Sequence, residues 1–464
     1  MTVSVAARAL LYDRQAEAGL IGRIFRQDPE KGLRFVEEVT VPITDYTSDS
    51  TERLPSMDSA EAGKYLFQLS LPNGEVMTES FEVAEGKATE VVLEVGEGPR
   101  EWSTLQAMAG KFAGEVHVAM EKPGSGGVAI RSYNEFRQDP ENGFQLRFIS
   151  LDSPAANSSL LQTDSIRRLA DLLRTDPTVE DAEQQLGTGA EVLSTAQEDA
   201  ELALFEFVYE GSIPDGAGRS SYYIDRGNIV PRAYLLEKAA RGARLIALPV
   251  PWTSFGNEVE VQLMLKMPSL YGKGEPDYTI TIGDPMINSA LGYVNNGAVK
   301  EAASLISFGA AQDLLFHKMS NPLAATVGGY MLILGLDRKA YRAQSDAWMK
   351  WVDNLCKWFP WLPDGAVLKA AKYFVLGDKD RDGAFDALMM SFDRGLPVFT
   401  FGLNLMLEGM RRFANEGEAE ARERLAVLET LAAAADPELN FVTLEVARKW
   451  ASSEAVHASG AARA

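Results

Sequence analysis

The chain has 464 residues, with 45 Lys and Arg against 66 Asp and Glu and a formal charge of −21. At roughly 150 residues per domain its length implies two to four domains, and its 46% apolar and 24% charged residues supply cores for them and exclude wholesale disorder. So acidic a surface repels phosphate backbones and anionic headgroups, which excludes nucleic acid as a main partner and argues against a membrane one; one Cys and three His allow no intrachain disulfide and barely a His/Cys metal cluster.

The N-terminal 25 residues break their apolar runs with Arg8, Asp13, Arg14 and Glu17. They lack the apolar core of a signal peptide, and a cytoplasmic location is expected. The first third reads as strands. Tyr65, Phe67 and Leu69 alternate before Pro72-Asn73-Gly74, whose Asn-Gly pair suits a turn with positive φ, so a β-hairpin is predicted there. Val91 to Val95 gives another strand, and residues 1–110 are read as an antiparallel, Ig-like β-sandwich with one wet face. Residues Phe25 to Phe35 (FRQDPEKGLRF) recur with small changes as Phe136 to Phe148 (FRQDPENGFQLRF). Each is read as a strand, an Asp-Pro turn closed by Gly and a returning strand, so a second hairpin is expected to open a second β-rich domain over 111–283.

That second block contains a helical stretch from Ser165 to Arg174 and an acidic segment from Thr178 to Glu201 that fits either a helix or a tether. Strand texture returns over Leu202 to Tyr209 and Glu258 to Met267. Between them lies a long Gly, Ser, Pro and Asp-rich exposed loop containing Arg219. From Asp284 the pattern becomes helical. Asn296-Gly297 ends one helix, Asn321-Pro322 caps the start of another, and Trp348, Trp351, Leu355 and Trp358 mark one face of a helix ending before Pro360. Asp364, Asp380 or Asp382, and Gly395-Leu396-Pro397 are read as later helix starts, about eight short helices in all. Met319 to Leu336, the longest stretch without charge, carries too many polar residues and glycines for a membrane span and reads as a buried helix. The expected architecture is β then α: β-sandwich-like domains followed by an all-α, TPR-like array over 284–450 and a flexible tail over 451–464.

No familiar catalytic signature stands out. Cys356 lies among Trp351, Leu355, Trp358 and Phe359 and reads as packing; His117, His317 and His457 have no neighbours that make them bases. Walker, nucleophile-elbow and zincin patterns do not occur. The one stretch with metal-ligand spacing is Asp378, Asp380, Asp382 and Asp386, with Gly383 at loop position six, a candidate calcium loop that has Met389 where a bidentate Glu belongs. The same residues also read as a helix turn with its own cap. Otherwise no cofactor is expected.

Three phrases of the helical block resemble a family of bacterial proteins encoded beside caspase-like or CHAT-type proteases in defence and signalling operons. They are Asn321-Pro322-Leu323-Ala324-Ala325 with Gly328-Gly329-Tyr330, Trp358-Phe359-Pro360-Trp361-Leu362-Pro363-Asp364-Gly365-Ala366, and Arg394-Gly395-Leu396-Pro397-Val398-Phe399-Thr400. Gly63-Lys64-Tyr65 with Pro72-Asn73-Gly74-Glu75 resembles the carboxypeptidase-regulatory type of Ig-like sandwich. The first resemblance implies a protein partner, a protease or another product of the same operon, and transfers no catalytic residue. The expectation is a non-enzymatic adaptor, regulator or cleavage target, with Arg219 the candidate cleavage point and Trp358, Phe359 and Trp361 the candidate interface. Two alternatives stay open: a carboxylate-dependent hydrolase of polysaccharide or peptide, and a membrane-disrupting effector released by proteolysis.

Overall fold

The computed structural model describes residues 2–9, 20–28, 30–45, 56–57, 60–96, 104–106, 108, 118–123, 128–133, 145–150, 165–186, 191–193, 202–209, 232–239, 242–250, 252, 261–266, 277–334, 338–377 and 379–448. Its N-terminal part is sheet and its C-terminal part an array of helices, the β-then-α order that the sequence texture predicts.

The first unit packs two sheets face to face. In one, β1 (Val3–Ala9) pairs with β4 (Ile43–Asp45), β5 (Ser56–Met57) and β8 (Thr89–Glu94); the other runs β3 (Gly32–Val41), β2 (Leu20–Asp28), β6 (Gly63–Ser70), β7 (Val76–Val83). Alternation puts Tyr65, Phe67 and Leu69 of β6 inward against Val3, Val5 and Leu20. The sheet containing β1 is not purely antiparallel, because β1 runs parallel to β4 and β8. Strand spacing in the sequence cannot show that, since strand direction depends on how distant segments return. The β6–β7 hairpin turns at Leu71 to Glu75, with Gly74 at φ 88° and the Asn73 side chain accepting from Glu75 N. β2 and β3 form the other predicted hairpin: Asp28 Oδ1 accepts from Glu30 N and Lys31 N, and Gly32 takes φ 77°.

Of the echo of that hairpin, only the end of the returning strand, within β11, lies among the described residues. β10 (Val128–Tyr133) joins the sheet β17 (Asp277–Ile282), β16 (Val261–Lys266), β13 (Leu202–Tyr209), β10, β9 (Val118–Pro123). β11 (Gln145–Ser150) joins the facing sheet β12 (Glu191–Leu193), β11, β14 (Ala233–Ala239), β15 (Gly242–Leu248), β18 (Thr443–Arg448). β10, which ends before the second motif, and β11, which holds the motif's last residues, enter opposite layers; residues 134–144 lie outside the described set. The layers meet at Phe148 and Phe207, stacked with centroids 5.4 Å apart. Helices α1 (Ser165–Arg174) and α2 (Val179–Leu186) cover one side, so part of the acidic segment is helical.

From Asp284 the chain forms α3 (Pro285–Asn295), α4 (Val299–Leu305), α5 (Phe308–Phe316), α6 (Pro322–Ile333), α7 (Arg338–Trp358), α8 (Pro363–Leu376), α9 (Arg381–Arg394), α10 (Thr400–Asn415) and α11 (Ala419–Ala434). The predicted punctuation is present. Asn296 closes α3 with Gly297 at φ 72°, and Asn321 accepts from Ala324 N at 2.8 Å ahead of Pro322. Every residue of α6 is buried, because Gly328 lies against the α5 backbone and Gly329 against Leu368 of α8, positions with no room for a Cβ. No helix among the described residues is long and apolar enough to cross a membrane.

The chain then returns to the sheets. β18 pairs antiparallel with β15 and buries Leu444 and Val446 in a core continuous with that of the helices. The first sandwich is held to α3 and α4 by polar contacts: Tyr293 OH donates to Ser70 O at 2.7 Å and accepts from Ile21 N, Asn296 Nδ2 donates to Pro72 O, and Arg23 pairs with Glu301.

Candidate protein-docking surface

The helical array presents an aromatic surface where α5 ends and α7 passes. Ser307 caps α5 by accepting from Ala310 N, and the helix stops at His317, whose N–H returns to Asp313 O. The turn over 317–320 precedes the Asn321 cap of α6, so Phe316 and Lys318 are fixed from both sides. Phe316 is 55% exposed and stands edge-on to Trp351 of α7 with centroids 5.2 Å apart. Trp358, the last residue of α7, is 39% exposed.

Beneath these rings lies Lys318. Its side chain is buried, and its Nζ lies 5.3 Å from the Trp358 ring centre, 5.8 Å from that of Trp351 and 6.0 Å from that of Phe316. Its Nζ donates to Phe316 O over a long 3.4 Å. Burial pulls the Lys318 ammonium below its usual range, and the ring faces offset part of the lost hydration. Two large exposed rings held rigidly around a desolvated cation form a surface suited to recognition. A second exposed apolar pair among the described residues, Leu33 and Phe35, lies on the edge strand β3, where Arg34, Glu37 and a bulge guard the edge.

A buried polar site stands deeper in the array. Asp364 at the start of α8 is fully buried; it accepts from Tyr330 OH at 2.7 Å, Val398 N at 2.9 Å and Phe399 N at 3.4 Å. Burial raises its carboxyl, while these donors and the Arg232 charge favour the ionised form. Arg232, ahead of β14, donates to the carbonyls of Arg394 and Leu396 and to Tyr234 OH. Asp364 and Arg232 together clamp the 394–400 segment between α8 and the second sandwich. Asp364 stands at the start of α8, where a helix start was read, but the N-cap position is Leu362 and the carboxylate turns inward. The third phrase, Arg394 to Thr400, was legible as a helix break; that its backbone N–H groups require an acceptor was not. Cys356 is buried beside Arg394, which donates to Cys356 O at 2.9 Å and to Leu362 O.

The other predicted residues fall in different places. Asp378 and Arg219 lie outside the described residues. From Arg381 the candidate calcium loop is helical: Asp380 caps α9 by accepting from Gly383 N at 3.0 Å, and Asp382 and Asp386 are exposed on the helix. Asp382 and Asp386, four residues apart, share one face of the helix, while Asp380 is engaged as its cap. Among the described residues no group of three or more His, Cys, Asp or Glu converges as a metal site. Of the three expected interface residues, Trp358 is exposed and Trp361 half-buried. Phe359 is wholly buried, because the chain turns inward after α7, and it meets Trp361 edge-on. Phe316 and Lys318 were not singled out; the period of the α7 tryptophans concerns one helix and gives no hint of what α5 brings to it. A small cleft of about 70 Å3 also lies where Pro72 and Asn73 of the first sandwich meet α3, β17 and residues 438–443.

Residues 289–463 match the model of the Y4kD C-terminal domain family. The match begins inside α3, takes in the rest of the helical array and includes β18, so the matched segment contributes a strand to a sheet built by the preceding chain. Searches of curated proteins and of solved structures found no match.

Proposed function

We propose that the protein is a non-enzymatic adaptor or regulator that engages another protein through the aromatic surface of its helical array. The observation that supports this reading is the grouping of exposed Phe316 and Trp358 with Trp351 around one buried ammonium, on helices anchored to a continuous core. Large aromatics held rigid before binding cost little ordering entropy and are the residues that dominate interfaces. In its most specific form, drawn from the resemblance in the helical phrases, the partner is a caspase-like or CHAT-type protease encoded beside it in a defence operon, and the protein is its adaptor or its substrate.

A photo-cross-linking amino acid at position 316 tests the reading, with the neighbouring operon products supplied as purified proteins. A specific adduct that disappears in Trp358→Ala supports it. Cross-linking to none of them, or equally to unrelated proteins, overturns it. A gel of the same mixtures shows whether the protease cuts the chain, and an intact chain removes the substrate version alone.

A further inference from the structure

We propose that this aromatic surface takes an acidic segment of its partner, a peptide in which Asp or Glu neighbours a bulky apolar side chain, with the carboxylate directed toward Lys318 and the apolar group resting on Phe316 and Trp358. The inference rests on the docking reading above and adds the chemistry of what docks.

The argument starts from charge. Lys318 is 4% exposed, and no Asp or Glu among the described residues lies within ion-pair distance of its Nζ. Asp353, on the same stretch of α7 as Trp351 and Trp358, is held by Lys372 at 2.5 Å. A cation taken from water without a carboxylate is costly, and ring faces and one long carbonyl contact return only part of that cost. The uncompensated charge sits under a thin apolar layer of low dielectric, where an approaching anion feels it far more strongly than through water. Exposed Lys350 and Lys357 immediately precede Trp351 and Trp358 along α7, adding cationic groups at the border of the surface. Against these three lysines stand exposed Asp313, one turn before Phe316, and Asp353, already paired with Lys372, on a chain whose net charge is −21. Charge therefore selects the partner, and the exposed rings supply the contact area.

An anionic membrane would also pair lysines with aromatics, but the acidic remainder of the chain repels a wide charged plane more than a short peptide reaching one spot. A phage-displayed random peptide library selected on the full-length protein should enrich sequences with Asp or Glu within two residues of Phe, Leu or Trp. A synthetic peptide of the enriched sequence should bind about tenfold more weakly to Lys318→Met, and weaken further as salt rises. The same peptide with its acids changed to Asn and Gln should lose about as much against the native protein, a readout independent of how Lys318→Met folds. Enrichment of neutral or basic sequences, no enrichment, or affinity indifferent to Lys318 and to the peptide's acids overturns the inference. Phe316-dependent sedimentation with phosphatidylglycerol vesicles, without peptide selection, overturns it in favour of a lipid surface. A specific cross-link at position 316 alongside neutral peptides removes the acidic partner and leaves the docking reading standing.

Discussion

Replacing Tyr330 with Phe deletes one hydroxyl and leaves the Asp364 carboxylate with a donor fewer in a site without exposure to solvent. The remaining donors named above are backbone N–H groups at 2.9 and 3.4 Å, and the longer one is weak. A hydrogen bond to a charged group contributes about 1.5–3 kcal/mol, so Tyr330→Phe should cost about 2 kcal/mol at pH values where Asp364 is ionised, a fall of several degrees in the melting temperature. The penalty should shrink in acid. Burial raises the Asp364 pKa above its unfolded value, so the folded state holds the proton more tightly. Between the two values the native state binds more protons than the unfolded one, and the contribution of this group to stability falls as pH rises through that window. Once protonated, Asp364 needs the tyrosine only as a neutral partner, and the loss drops to about 1 kcal/mol. Denaturant titrations of wild type and variant, followed by tryptophan fluorescence across that window, measure both effects. A Tyr330→Phe penalty that is constant with pH, or larger in acid, would refute the reasoning, because it would mean that the hydroxyl does not stabilise an ionised carboxylate.

Other outcomes follow from the same contacts. Gly402 lies against both the Asp364 carboxylate and Tyr330 OH, so Gly402→Ala should cost about 1–3 kcal/mol by overpacking, as read from thermal melts. Asp380→Ala should lose about 1 kcal/mol of helix capping, while calcium should leave the melting temperature of wild type and variant alike unmoved; stabilisation of wild type by calcium would restore the loop reading. Leu444→Ala should destabilise by about 2–5 kcal/mol and accelerate amide exchange in β15, which shows that β18 belongs to the sheet it completes. Trp358→Ala removes the ring nearest the Lys318 ammonium and should cost about 0.5–2 kcal/mol in denaturant titrations, so partner binding is compared under conditions where the variant stays folded.

The sequence determined much of this molecule's local structure. Asn73-Gly74, Asp28 with Gly32, Asn321-Pro322 and Asn296-Gly297 set turns and helix ends where they were read, because capping and positive φ are properties of a few adjacent residues. Within the uncharged 319–336 stretch, Pro322–Ile333 is a buried helix because its glycines admit close neighbours and its apolar residues leave it no wet face. The direction of β1's pairing, the parting of β10 and β11 into opposite layers, and the return of β18 to a sheet begun about three hundred residues earlier were decided only by tertiary structure. So were the inward turns of Asp364 and Phe359 and the gathering of Phe316, Trp351 and Trp358 around Lys318. Each depends on which distant surfaces exclude water from one another, and burial converts an ordinary lysine or aspartate into a group whose charge must be answered by its neighbours.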